Sequence, residues 1–156
     1  MNDREDLLAR YADGVAQVRA ALAGASAEDM DRAAAGEWSA RQVVHHLADS
    51  ETNSYLRLRR LIADEGTPQI QGYDEAGWAV RLHYADRPVD AALGVFSAVR
   101  AASLEILRSL ADDIDWERAG LHSESGAYTI DDWLRIYADH AHDHADQIRR
   151  ARQGLA

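Results

Sequence analysis

The chain has 156 residues, 27 acidic and 17 basic side chains for a net charge of −10, and no cysteine. That length fits one domain, residues 1–156, which would bury about 70 % of its unfolded surface. The acidic balance argues against a general nucleic-acid binder, and the lack of cysteine excludes disulfides, thiolate metal ligands and a protein thiol nucleophile. No run of 18 apolar residues offers a membrane span. The acidic start Met1-Asn-Asp-Arg-Glu-Asp6 is unlike a secretory leader, so the cytoplasm is the expected location. All 17 basic residues are arginine, which points to a GC-rich bacterial genome rather than to a function.

Hydrophobic periodicity predicts a first helix over Asp3–Ala23. Leu8, Tyr11, Val15, Val18 and Leu22 recur at 3-4-3-4 spacing, the seam of a bundle. Gly24–Met30 reads as a turn, with Ser26, Glu28 and Asp29 as capping or turn residues. A second helix is predicted from Ala40 to Asp64. Ser39 and Gln42 form a capping box at its start, and Trp38 is placed to staple onto Val43. Its inner face carries Val43, Leu47, Ser54, Leu58 and Leu61.

Glu65–Tyr73 contains Gly66, Pro68 and Gly72 and reads as a loop. A short helix follows, with Asp74 as N-cap. This crossover is too long for a tight hairpin and is expected to cover one end of the bundle, either as a packed lid or with Tyr73 and Trp78 walling a substrate cleft. Pro88 fits the first turn of a third helix, carried on by Leu93, Phe96, Val99, Ser103, Leu107 and Leu110. Arg100 sits beside that line, where most arginines extend to the surface. Asp112–Tyr128 is a second long connection. Thr129 and Asp132 resemble a capping box and open a fourth helix over Ile130–Arg152. Its apolar face is Ile130, Trp133, Leu134, Tyr137, Ala141 and Ile148.

The chemistry gathers on that fourth helix. His140 and His144 are one turn apart on one flank of the apolar face, a spacing at which two imidazoles can hold one metal ion. His142 points elsewhere, about 120° from Ile130. A lone histidine beside an apolar stripe is usually a hydrogen-bonded core residue, so a third ligand from another helix is required. On the second helix, His46 falls about 60° from the line of Val43 and Leu61, and His45 about 160°. His46 can therefore face the interior, whereas His45 should face solvent or a neighbour. His122 is better read as structural or exposed than as a ligand. Below His46 run Ser50, Asn53 and Arg57, a polar stripe that is either a solvated face or the wall of a polar pocket with Arg57 as anion anchor.

Several stretches carry a resemblance to a known family. They are Trp38-Ser-Ala-Arg-Gln-Val-Val-His-His-Leu-Ala-Asp-Ser50, Asn53-Ser-Tyr-Leu-Arg57, Gly72-Tyr-Asp-Glu-Ala-Gly-Trp78, and Tyr137-Ala-Asp-His140 with His144. Together they resemble the DinB superfamily, and more narrowly its YfiT-like branch. The resemblance implies an all-α fold, a DinB-like four-helix bundle with long crossover connections. It implies a divalent metal, zinc or nickel, held by His46, His140 and His144. It also implies either transfer of a low-molecular-weight thiol of the bacillithiol or mycothiol type, or hydrolysis.

Three neutral imidazoles leave a divalent ion one open position. Zinc at such a site can lower the pKa of water to about 7 or hold a thiol in its nucleophilic form. The leading expectation is transfer of a small thiol to an electrophilic small-molecule substrate. Asn53 and Arg57 would orient the substrate, and Ser50 would lie beside them on the cofactor-binding wall. The alternatives are a metal-dependent hydrolase and a bundle that binds metal or a partner without chemistry. Asp49, Glu51, Asp139 and Asp143 are candidates to fix the imidazole tautomers. The pattern is compatible with a homodimer or a monomer.

Overall fold

Four long helices form because each carries an apolar stripe that only a neighbour can cover. The computed structural model describes residues 3–110 and 114–156. Its elements are α1 (Asp3–Leu22), α2 (Ala27–Asp31), α3 (Ala40–Ala63), β1 (Gln69–Ile70), α4 (Glu75–Arg81), α5 (Asp90–Ser109), β2 (Ala119–His122), β3 (Gly126–Thr129) and α6 (Ile130–Arg152). The long helices α1, α3, α5 and α6 make the bundle, with α1 and α3 each packed against both α5 and α6. No helix among the described residues is long and apolar enough to cross a membrane.

Two helix starts follow the sequence closely. Ser39 Oγ accepts from the Gln42 amide while Gln42 Oε1 accepts from the Ser39 amide, and Thr129 and Asp132 repeat the arrangement at α6. Other expectations need correction. Gly24–Met30 is not only a turn: Ser26 and Asp29 form a further capping box, and Ala27–Asp31 is helical. Pro88 lies before α5, whose N-cap is Val89. Trp38, by contrast, packs against the cluster that holds Val43, with its ring 5.1 Å from that of His46.

The two crossovers are not plain loops. β1 pairs in parallel with β2 (Gln69 opposite Leu121), and β2 pairs antiparallel with β3 (Ala119 opposite Thr129). This small sheet joins one crossover to the other. At Gly120 an added Cβ would lie 2.7 Å from the Pro68 carbonyl oxygen, so close strand approach requires glycine there. The expected start of the second connection, at Asp112, lies outside the described residues.

The core falls into two apolar clusters. One centres on Val18, Val43, Leu47, Phe96 and Ile148. The other centres on Tyr11, Leu58, Leu61, Trp133 and Leu134. Buried polar groups accompany them: Glu51, Ser54, Arg100 and Ser103 are all at most 2 % exposed. Arg100 does not reach the surface, against the expectation for its position. Its guanidinium lies over the Tyr11 ring at 3.9 Å and donates to the Tyr11 and Tyr137 carbonyls. Gly14 makes room for it, since a Cβ there would meet Arg100 Nη2 at 2.8 Å and the Ala141 Cβ at 2.7 Å.

Candidate metal centre

The inward flank of α3 and one flank of α6 bring His46, His140 and His144 together. One nitrogen from each lies within 4.8 Å of the others. The rings meet at 4.7 Å (His46–His144), 5.6 Å (His46–His140) and 4.6 Å (His140–His144), the last nearly edge-on at 84°. His46 is buried and the other two are half-buried.

The ring nitrogens have distinct environments. Gln147 Oε1 accepts from His144 Nδ1 at 2.7 Å. Glu51 Oε1 accepts from His140 Nδ1 at 3.4 Å. In both rings this tautomer leaves Nε2 with its lone pair free. His140 Nε2 lies 3.4 Å from Ser50 Oγ. His46 Nδ1 is buried with no hydrogen-bond partner, a cost to folding unless something is bound there. Three imidazoles, two with oriented tautomers and one with an orphaned nitrogen, fit a divalent cation with an open position. Ligands at 2.0–2.1 Å from a tetrahedral ion are about 3.3 Å apart, so small turns of the rings would close the set.

Of the four acids considered for orienting the imidazoles, Glu51 is the one in place. It is 1 % exposed and also accepts from Arg100 Nη1 at 2.5 Å. Asp49 instead accepts from the Tyr84 hydroxyl. Asp139 pairs with Arg10 at the surface, and Asp143 is exposed. His45 turns to a neighbour, stacking on Tyr84 at 5.6 Å and donating to the Arg87 carbonyl at 3.2 Å. His142 donates to the Arg10 carbonyl on the far flank. His122 packs against Tyr128, with ring centroids 5.5 Å apart.

The polar stripe divides. Ser50 joins the histidines, as described. Arg57 donates to the Tyr137 hydroxyl at 3.1 Å and to the Gln71 carbonyl at 2.9 Å. The Tyr137 ring in turn meets that of His140 at 5.5 Å. Asn53 donates to the Asp49 carbonyl within its own helix. With Arg60 and Gln69–Gln71, these two residues line a cleft of about 110 Å³ beside β1. Sequence reasoning did not find Gln147 as the partner of His144, and it expected Arg100 to extend to the surface as most such arginines do.

Electrostatics disfavour charge on His46 and His144. Burial, then the nearby His144 and His140, push His46 from its ordinary 6.5 down to about 3. Burial and His140 push His144 to about 4, against opposing contributions from Gln147 and Glu51. Below pH 6.5 the unfolded chain therefore binds protons that the folded protein refuses. The stability these groups contribute is fully present above pH 6.5 and is lost as pH falls toward 4 and then 3. For metal-free protein the denaturant midpoint is expected to fall from about pH 6.5 downward, by up to a factor of ten in the folding equilibrium per pH unit and per histidine. Urea titrations at half-unit steps check this; a midpoint flat between pH 6.5 and 5 would contradict it.

Comparison with known proteins gives concordant results. The DinB superfamily profile matches residues 10–148. "Putative metal-dependent hydrolase OB0782" of Oceanobacillus iheyensis is 40 % identical over 113 residues, 72 % of this chain and 64 % of that protein. "Putative metal-dependent hydrolase YfiT" of Bacillus subtilis is 33 % identical over 114 residues, 72 % of this chain and 63 % of that protein. The alignments thus span just under two thirds of the length of these two curated relatives. The solved structure of Bacillus subtilis YfiT superposes with a TM-score of 0.87 at 27 % identity, covering 100 % of this chain and 90 % of that one. It is described as "a probable metal-dependent hydrolase with an unusual four-helix bundle topology".

Proposed function

Because this chain belongs to the DinB superfamily, we propose that it is a metal-dependent enzyme whose centre is His46, His140 and His144. The observation that carries this is the convergence of three imidazole nitrogens within 4.8 Å, two with oriented tautomers and one orphaned. A divalent cation held there, zinc or nickel, would supply Lewis acidity that ionises a nucleophile near neutral pH. The protein's own residues then divide the remaining work. Glu51 and Gln147 hold the imidazoles in orientation. Ser50 flanks the open side. Arg57, which reaches the cluster through Tyr137, and Asn53 line the cleft beside β1 and would orient the anionic or hydroxyl-rich end of a small molecule.

We take the nucleophile to be a low-molecular-weight thiol and the reaction its transfer to an electrophile. Glu51 is the carboxylate that contacts the cluster among the described residues, and it is already engaged by Arg100 and His140. A thiol, with an ordinary pKa near 8.5, needs a far smaller shift on a cation than water does to be ionised at neutral pH. With no cysteine in the chain, the sulfur must arrive with the ligand. Hydrolysis is the second reading, favoured by the names of the relatives.

One experiment separates the two readings. Metal-loaded protein is mixed with an electrophilic aryl halide, with and without bacillithiol or mycothiol. Turnover that requires the thiol is expected. Equal turnover without thiol would establish hydrolysis instead. Inactivity with tightly bound, fully coordinated metal would leave a non-catalytic metal-binding bundle.

A further inference from the structure

The side chain of Tyr73 is not used by the metal-centre reading, yet it is carried to that centre by the first crossover. The chain just before it is pinned on both sides. Gln71 O accepts from Arg57 of α3, and the Gly72 amide donates to Ser123 Oγ at 2.9 Å, in the turn between β2 and β3. The Tyr73 ring packs on Trp78 of α4, with centroids 4.5 Å apart. These anchors carry the hydroxyl to Ser50 and Tyr137, and Ser50 Oγ is itself 3.4 Å from His140 Nε2. There the hydroxyl is buried beside Ser50 but makes no well-formed hydrogen bond. Burial, reinforced by the nearby Glu75 carboxylate, holds the phenol above its ordinary value, so it keeps its proton and can donate. A buried hydroxyl left without a well-formed hydrogen bond disfavours folding, and phenylalanine would avoid that cost. A ligand oxygen at the centre accounts for it.

We propose that Tyr73 is a substrate-contacting hydrogen-bond donor of the three-histidine site, and that the substrate is an electrophile that bears an acceptor oxygen. Its oxygen would accept from the Tyr73 hydroxyl while its reacting atom faces the open side of the histidine cluster. Such a donor is worth most where negative charge develops on the oxygen in a water-poor site. The crossover then acts as part of the site rather than as a passive lid. This inference rests on the metal-centre reading above.

The test uses cobalt-loaded protein, the visible spectrum of the ion, and two probes. Acetohydroxamate presents charged oxygens; imidazole presents a nitrogen and no oxygen acceptor. Tyr73→Phe is expected to bind cobalt like the parent and to unfold at the same or slightly higher denaturant concentration, since the hydroxyl has no well-formed hydrogen bond to lose. Its affinity for acetohydroxamate should fall about ten- to a hundredfold, while imidazole binding changes less than twofold. Unchanged acetohydroxamate affinity, or equal loss for both probes, would overturn the role of Tyr73 and leave the metal reading intact. A parent protein that takes up no cobalt would overturn both.

Discussion

Arg100→Met is expected to destabilise the protein by about 3–5 kcal/mol, because it strands a buried carboxylate. Glu51 is 1 % exposed, and its partner guanidinium 2 %. The guanidinium also satisfies two main-chain carbonyls, Tyr11 on α1 and Tyr137 on α6. Its loss therefore leaves an unpaired charge and two orphaned acceptors at the junction of four helices. Domains of this size hold about 5–15 kcal/mol in total, so the melting temperature should drop by roughly 6–20 °C. The double variant Glu51→Leu with Arg100→Met removes both charges and should recover most of that loss, since apolar replacements of buried pairs are often neutral. It should not recover metal affinity, because His140 Nδ1 loses its acceptor; a fall of about 10–100-fold is expected. Calorimetry and metal titration on the three proteins check this. Full metal affinity in the double variant would show that the pair serves folding alone.

The pair also shows where sequence legibility ends. Glu51 and Arg100 are 49 positions apart on different helices, and an arginine beside an apolar line looks the same whether it is buried or extended. Helical periodicity does locate His46, because a residue one turn from Val43 must share its face, and the structure buries it. The capping boxes at Ser39 and Thr129 were legible because all their parts lie within four residues. α2 was not, since five residues carry too little periodicity to separate helix from turn. The strands were missed for a related reason. β1 has two residues, and its partner Leu121 lies 52 positions away, so nothing local marks it. The stripe of Ser50, Asn53 and Arg57 was visible as a stripe, but its surroundings were not. Arg57 faces a carbonyl at Gln71, and that carbonyl is placed by the crossover rather than by any residue type.

His140→Ala is expected to abolish stoichiometric metal binding. Protein purified without chelator should carry about one equivalent of a divalent metal per chain, and the variant close to none, by elemental analysis. His140 is central to the set: its ring contacts both other histidines, and Glu51 and Ser50 flank its two nitrogens. His46→Ala should behave in the same way. His45→Ala, one position along, should keep the metal, because that ring stacks on Tyr84 and is held by Arg87. His142→Ala should also keep it. Stability gives an independent readout. At free metal 100-fold above the dissociation constant, binding adds about 2.7 kcal/mol, or roughly 5–11 °C for a chain of this length. Chelator should remove that increment from the parent and from His45→Ala, and remove nothing from His140→Ala. If the parent were equally stable with and without chelator and carried no metal, the three rings would be core filler. The buried, unpartnered Nδ1 of His46 would then be a pure penalty, one that a phenylalanine at position 46 should relieve by raising the melting temperature.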